Sequence, residues 1–479
     1  MNILTRFAKV LENKLKEHFS KYLINPFSSF DKPFSTDSYT EFVEQFDTLS
    51  TAFTKDAYEA FILSLDDDFM NSTERKLSYT SKGFVTKQLL TKFGWINFKR
   101  RRYIDSDGKT FMFIDKLFEL TKYKRFDQFV IADLCEQSST TSYSNAGRIV
   151  SNKIGSKVKY NDDETKDLLS RATVRNNVLS AVNLINPQTN NQERVIQTIN
   201  IMIDEKFVGS QFNDNKDHMV KSAVIYESTS LEYNNRIRLT GKKVFASIDG
   251  NIQKDVMDYI YYNYNTDSLK SINIMGDGAT WIKSFATDSS FKFNPELSVI
   301  YGLDHFHFAQ ALRHITTNKN LNEYNLLYEY VKSNNMDDFN SLCESFIELN
   351  KSRESIIREK MSYIINNWIY IQNTFHVIKF KCSMESNISH VLADLFTSRP
   401  KAYSTFGLKS LLKLRLLKVN GEDIQKTYLK SLNEGKKKEI TEDITNRNIS
   451  NHKSAKYVDM INHSLSIPNL ALRINNFTV

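Results

Sequence analysis

Cysteine is scarce in this 479-residue chain, and it has no long hydrophobic run. Cys135, Cys343 and Cys382 stand far apart, which excludes a CxxC zinc pair and a disulfide framework. A reducing compartment suits such a chain. No apolar stretch has the length needed to cross a bilayer, so no membrane association is predicted. Lys9, Glu12, Lys14, Lys16 and Glu17 interrupt the N-terminal stretch, and a secretory signal is not expected there. Ile3, Phe7, Val10, Leu11, Leu15 and Phe19 instead recur at helical spacing. The expected location is cytoplasmic. Internal repeats are also missing.

Hydrophobic residues make up 41% of the chain and charged residues 25%, which suits folded domains and excludes wholesale disorder. The length exceeds one ordinary core, so two or more domains are expected. The formal net charge is +8. A basic chain can hold a polyanion by releasing its counterions, which makes nucleic acid a natural partner, although bulk charge alone specifies little.

Residues up to about Lys76 read as helices, with Phe42, Phe46, Phe53, Tyr58, Phe61 and Leu65 at apolar positions. Leu90 to Phe98 and Arg102 to Ile114 read as two strands with a turn signal at Asp105-Ser106-Asp107-Gly108. The run Lys99-Arg100-Arg101-Arg102 lies on that hairpin. Helix is expected from Lys116 to about Leu184, then a polar linker over Asn186 to Gln192 that contains Pro187. Beyond it the texture changes. Ile199, Ile201 and Ile203 alternate with polar Asn200 and lead into Asp204, as in a strand. Val220 to Tyr226 and Lys243 to Ile248 read as further strands, and Asn251 to Tyr264 as a helix. Ser271 to Met275 is a strand ending in Gly276-Asp277-Gly278, a short helix holds Trp281, Ile282 and Phe285, and Leu297 to Leu303 is a strand ending at Asp304. Three meander-like strands followed by βα units predict an α/β fold with a mixed sheet and helices on its faces. His305 to about Asn373 reads as purely helical. A further helix is expected from an N-cap at Ser383, with Met384, Ile388, Val391, Leu392 and Leu395 on one face. The stretch from Ser431 to Asn451 is polar.

Acids fall at informative places. Asp204 is expected to end the first strand of the mixed region and Asp277 to follow the fourth. Side chains just past strand ends face a crevice that can hold ligands. Two carboxylates there, joined by Glu385 from a helix, could share divalent cations through hard oxygen donors, an arrangement suited to phosphodiester chemistry. Each acid also has an ordinary structural use. Asp204-Glu205 can be a solvated strand end, Asp277-Gly278 a tight turn, Glu385 a favourable charge in a first helical turn, and Asp304 an N-cap. His305 and His307 are two apart and do not share a helix face, which weakens a joint zinc site. The residues by themselves lead as far as a carboxylate metal site and no further.

The motifs together resemble the ISLre-type insertion-sequence transposases of bacteria, within the wider Mutator-like DDE group. The resemblance runs from about Ser81 to Ile424. In the N-terminal part it rests on Thr91, Phe93-Gly94, Phe98, Arg100 to Tyr103, Asp107-Gly108 and Ser142-Tyr143. The core supplies Ile203-Asp204-Glu205, Gly276-Asp277-Gly278-Ala279 with Trp281-Ile282, and Leu303-Asp304 with Phe306-His307. The most specific block is Tyr363-Ile364, Asn367-Trp368, Cys382-Ser383-Met384-Glu385, Ser389-His390-Val391-Leu392 and Ser398-Arg399-Pro400, closed by Asn420-Gly421.

The resemblance implies a helical N-terminal region (1–80), a basic hairpin with helices that binds DNA (81–190) and an RNase H-like core (191–304). A helical insertion (305–380), the glutamate-bearing helix with the end of the core (381–430) and a C-terminal tail (431–479) follow. Asp204, Asp277 and Glu385 would hold two Mg2+ ions, with Mn2+ as a substitute, and Asp304 and His307 would support them. Lys99, Arg100, Arg101, Arg102 and Arg399 would contact DNA. The implied activity cuts element ends by hydrolysis and joins the freed 3′-hydroxyl to target DNA, without a covalent protein–DNA bond, in a homo-oligomer. Lys206, Phe207 and Leu395 depart from residues common in that family. They ground an alternative, a decayed or co-opted DNA-binding copy; an RNase H-like structure-specific nuclease is a third reading.

Overall fold

The computed structural model describes residues 8–9, 11–17, 36–118, 120, 123–154, 158–160, 164–166, 169–186, 193–211, 217–231, 237–248, 250–287, 293–316, 321–378, 389–397 and 401–435. Helix α1 (Thr36–Asn71) carries Ile62 and Leu65 on the side that meets the sheet behind it. Helix α2 (Thr73–Ser78) is N-capped by Ser72, whose hydroxyl accepts the Arg75 N–H. Strands β1 (Thr80–Thr91), β2 (Gly94–Ile104) and β3 (Thr110–Met112) form an antiparallel sheet in that order. Leu89, Ile96 and Phe98 pack with Ile62 and Leu65 in one buried cluster.

This hairpin begins earlier than the sequence suggests. The tight turn is Lys92-Phe93, where the Thr91 hydroxyl donates to the Gly94 carbonyl (2.9 Å) and accepts the Phe93 N–H (3.1 Å). Gly94 takes φ +99°, a conformation that favours glycine. The Asp105–Gly108 turn is real, but it joins β2 to β3, with Asp105 accepting the Asp107 and Lys109 N–H groups. Helix α3 (Phe113–Leu117) replaces the strand expected as far as Ile114. The long helix expected up to Leu184 is divided into α4 (Gln128–Ser138), α5 (Tyr143–Lys153) and α6 (Arg171–Val182), capped by Asp127, Ser142 and Ser170. Two short paired strands, β4 (Val158–Tyr160) and β5 (Glu164–Lys166), separate α5 from α6. Most of the polar linker expected at Asn186 to Gln192 lies outside the described residues.

The central sheet contains β6 (Thr198–Val208), β7 (His218–Tyr226), β10 (Lys243–Ser247), β11 (Ser271–Gly276) and β12 (Ser298–Leu303). Its order is β10-β7-β6-β11-β12. The first three strands in sequence are antiparallel neighbours, and β11 pairs parallel with both β6 and β12. A small hairpin of β8 (Ser228–Leu231) and β9 (Ile237–Thr240) stands between β7 and β10. Helices α7 (Ile252–Asn263) and α8 (Thr280–Thr287) cover one face, where Ile199, Ile201, Ile203, Ile272 and Ile274 are buried with Val256 and Ile282. On the other face Met202, Val220 and Val224 meet Val391, Leu392 and Leu395 of the π-helical turn Ser389–Thr397, and Leu408 and Leu411 of a helix called α14 below. A helical stack follows β12: α9 (His305–Thr316), α10 (Leu321–Lys332), α11 (Met336–Leu349), α12 (Glu354–Asn366) and α13 (Trp368–Gln372). Its core is Leu312, Leu327, Phe339, Phe346 and Ile364. Helix α14 (Thr405–Val419) also sends Leu414 and Leu417 into the cluster formed by α4, α5 and α6.

Side chains close the exposed sheet edges, which otherwise invite pairing with other chains. The Asn420 amide takes the Val244 N–H (2.8 Å) and donates to the Val244 carbonyl (2.9 Å) on β10. On β12, Asn373 and Thr374 donate to the Tyr301 and Leu303 carbonyls, each at 2.8 Å. Along β2, α1 supplies carboxylates: Glu59 accepts the Asn97 N–H and Asp66 the Arg101 N–H, each at 2.8 Å. Asp66 is fully buried and also accepts the Tyr103 hydroxyl (3.1 Å). Removing one partner of such a buried charged network leaves the others unpaired and costs roughly 3–5 kcal/mol. Asp66→Ala is therefore expected to lower the unfolding free energy by an amount in that range, read as a lower urea midpoint at unchanged slope, and Asp66→Asn by less. A midpoint unchanged in both would show that Asp66 does not hold α1 to the sheet.

Candidate functional site

Strand register brings the sequence-predicted acids together. The last β6–β11 pair is Met202 with Met275, so two residues further Asp204 stands level with Asp277. The last β11–β12 pair is Gly276 with Leu303, so one residue further Asp277 stands level with Asp304. The Asp304 N–H donates to the Gly276 carbonyl (2.8 Å), which carries the ladder up to this row. Residues level with one another on neighbouring strands point to the same face, and the strands lie about 4.8 Å apart. Asp204 does not end its strand, as the sequence suggests. β6 runs on to Val208 against β7, and it is the parallel partner β11 that stops.

Each acid is held by local hydrogen bonds. Asp204 accepts the Glu205 N–H (2.7 Å), and Asp277 accepts the Ala279 N–H (2.8 Å). Asp304 is buried; it accepts the Phe306 N–H (3.2 Å) at the start of α9 and lies 3.2 Å from Nδ1 of His307. It thus serves the helix start and the histidine together. Gly276 has no room for a side chain, because a Cβ there would sit 2.6 Å from Cγ2 of Ile282. Opposite Asp204 on β7 stands Ser222, only 2% exposed, and its hydroxyl has no hydrogen-bond partner among the described residues.

The acids act on one another. Burial pushes the Asp204 carboxyl up to about 6, reinforced by the charges of Asp277 and Asp304 and opposed by the Glu205 N–H and His307. His307 is raised above its ordinary value, first by its hydrogen bond to Asp304 and then by the charges of Asp304, Asp204 and Asp277. Among the described residues, no group of three or more His, Cys, Asp or Glu side chains is placed to hold a metal ion. Glu385, the third member of the expected set, lies outside the described residues, as does Arg399. The π-helical turn that begins four residues after Glu385 packs on the sheet face carrying Met202, the face to which Asp204 belongs. The Arg415 guanidinium donates to the Val391 carbonyl (3.0 Å) and holds that turn in place.

The basic run on β2 divides by burial and partner, not by face. Lys99 and Arg102 are exposed. Arg100 is buried against Asp115 (3.1 Å), with Lys87 on the same carboxylate at 3.9 Å, and Arg101 bridges Asp66 and Asp67. Two of the four cations therefore serve the fold. Some neighbours of the site have no periodic or charge signal in the sequence. Tyr301 accepts the Gly278 N–H (3.1 Å), Tyr363 donates to the Asp277 carbonyl (2.6 Å), and the Trp281 indole donates to Glu205.

The burial of Asp204, with two further carboxylates beside it, has a pH signature. Between its ordinary value of 3.8 and about 6, the unfolded chain is ionised while the folded chain keeps the proton, so stability falls as pH rises through that window. His307 binds its proton more tightly when folded, so its contribution is lost as pH rises above 6.5. In EDTA the melting temperature should decline in two steps across pH 4 to 8. Asp204→Asn should flatten the lower step and leave most of the upper one, whereas an unchanged lower step would show that Asp204 is not the strained group.

A UPF0236 protein of Caldanaerobacter subterraneus subsp. tengcongensis is 25% identical over 444 residues, which is 90% of this chain and 86% of that protein. Another from the same organism is 27% identical over 412 residues, 84% of this chain and 81% of its own. Among solved structures, the Drosophila P element transposase strand transfer complex aligns over 60% of this chain and 78% of its own, at 12% identity and a TM-score of 0.21. A score that low does not establish a shared fold. The model of the Uncharacterised protein family UPF0236 matches residues 36–432, and the chain belongs to that family.

Proposed function

We propose that the chain is a DNA transposase of the ISLre type, built on an RNase H-like core, that cuts insertion-sequence ends and joins them to target DNA. The observation that carries this reading is the row of Asp204, Asp277 and Asp304 at the end of the parallel ladder. The sheet order, in which three antiparallel strands are followed by two parallel ones on the far side of β6, supports the RNase H-like assignment. The names of two relatives also support mobility: one joins eleven locus labels and another joins four. A protein with many loci in one genome is what an element that copies itself leaves behind.

The donor set suits a hydrated divalent cation. Asp204 and Asp277 offer hard oxygens on adjacent strands, and the orphaned Ser222 hydroxyl beside Asp204 is a further polar group for an ion's water shell. Mg2+ ions, or Mn2+, held by Asp204, Asp277 and Glu385 would supply the charge that activates the attacking oxygen and steadies the leaving one. The protein's own residues do the rest. Asp304 orients His307, and its hydrogen bond together with the charges of the three aspartates raises the histidine's proton affinity. Lys99 and Arg102 would hold phosphates of the duplex, with Arg399 as a further contact. Each chemical step forms one P–O bond and breaks one, so no external energy source is required. Two ends must be cut together, which calls for a homo-oligomer on DNA.

The test uses labelled DNA that flanks the coding sequence, a plasmid target and a branched duplex, all with Mg2+. The parent protein should cut the flanking ends and join them to the plasmid, and Asp277→Asn should lose at least a hundredfold of that activity while still binding DNA. Cutting confined to the branched duplex would favour the nuclease reading. DNA binding without cutting in any arm would favour the decayed copy, and cleavage by Asp277→Asn at the parent's rate would falsify the site assignment.

A further inference from the structure

The turn that carries Asp277 is gripped by two tyrosines, one on the sheet and one outside it. Both ends of the peptide group that joins Asp277 to Gly278 are taken by a tyrosine hydroxyl. Tyr363, at the end of α12, donates to the Asp277 carbonyl (2.6 Å), and Tyr301, on β12, accepts the Gly278 N–H (3.1 Å). Buried tyrosines need a partner for the hydroxyl; these two place theirs on either side of the same Cα–Cα link. Gly278 has φ +91°, and a Cβ there would sit 2.9 Å from Oδ1 of Asn367 and 3.1 Å from Leu303. Asn367 is 3% exposed. Its Nδ2 donates to the Tyr363 carbonyl (2.8 Å), which fixes the amide's orientation, and its Oδ1 is buried against the turn with no hydrogen-bond partner among the described residues.

The far side of this grip is anchored in the helical stack. The Trp368 indole donates to Asn334 (2.7 Å), a residue held at φ 59°, and Gln372 donates to the Val331 carbonyl (2.7 Å). Tyr370 packs edge-on against Tyr301, with ring centroids 4.8 Å apart. The helices between Leu321 and Gln372 are thereby coupled through Tyr363 and Asn367 to the Asp277 turn.

We infer that Tyr363 and Asn367 are positioning residues through which the helical stack sets the Asp277 carboxylate beside Asp204. The inference rests on the reading of Asp277 as a cation ligand. Holding both ends of that planar peptide group restrains the flanking dihedrals, ψ of Asp277 and φ of Gly278, and with them the direction in which the Asp277 carboxylate leaves the backbone. Groups that orient a metal-binding side chain are commonly worth 10–100-fold in affinity.

The full-length chain with Tyr363→Phe or Asn367→Ala tests this. Three quantities are measured: Mn2+ affinity by titration calorimetry, amide hydrogen exchange by mass spectrometry, and the melting temperature in EDTA. Tyr363→Phe should weaken Mn2+ binding about tenfold or more, as second-sphere losses do. Exchange should rise in peptides covering Asp277 to Ala279 and stay at parent rates in α10 and α11, with little change in melting. Asn367→Ala should act in the same direction. Parent-like exchange at the turn in both variants would overturn the inference, as would a rise spread evenly over the whole stack. If the parent chain binds no Mn2+ at all, the cation-site reading fails on its own; the exchange at Asp277 to Ala279 then still decides whether the clamp exists.

Discussion

A strand cannot slip by one residue without turning every side chain to the opposite face. The candidate site depends on that rule. In β6, β11 and β12 one parity carries Ile199, Ile201, Ile203, Ile272, Ile274 and Tyr301 into the core under α7 and α8. The other parity runs from the Thr198–Ser271 hydroxyl pair (2.9 Å) through the Asn200–Asn273 amide pair (3.0 Å) to the three aspartates. Crowding the acids is costly. Keeping Asp204 ionised where burial raises it to about 6 costs about 3 kcal/mol. Each buried isoleucine returns roughly 1.5–3 kcal/mol, so several of them on the same strands outweigh that cost and hold the register. Hydrophobic burial on one face thus enforces acid proximity on the other.

The sequence was most legible where a period was clean. The alternation around Ile201, the run at Val220 to Tyr226 and the helical spacing after Asn251 each correspond to an element of the structure. Asp277 was visible because a strand visibly ended there. Asp204 was harder, since β6 continues past it and only the shorter partner stops. The hairpin was misplaced because Asp105–Gly108 is the stronger turn signal, while the tighter reversal at Lys92-Phe93 relies on the Thr91 side chain and one positive φ. The β8–β9 hairpin gave no signal that stood out from its polar surroundings. Pairing partners were not legible at all. Arg100 and Arg101 look like neighbours on a basic face, yet their carboxylates come from Asp115 and from α1. Tyr363 and Asn367 carry no charge and no period, and only the folded chain reveals what they touch.

The same logic of borrowed partners recurs throughout the molecule. Sheet edges are finished by Asn420, Asn373, Thr374, Glu59 and Asp66, all supplied by helices or turns remote in sequence. The helical stack does for the Asp277 turn what these residues do for the edges: it satisfies backbone groups that the strands leave open. Leu395 fits this pattern from the apolar side. It is buried against the sheet face that carries Asp204 and serves packing there.

The central claim is that Asp204 and Asp277 share one divalent cation. Crystals of the full chain soaked in Mn2+ and measured at the manganese absorption edge test it most directly. The account predicts an anomalous peak bridging the two carboxylates, with Glu385 completing the ligand set. A clear peak elsewhere, or none between these carboxylates at saturating Mn2+, would contradict it.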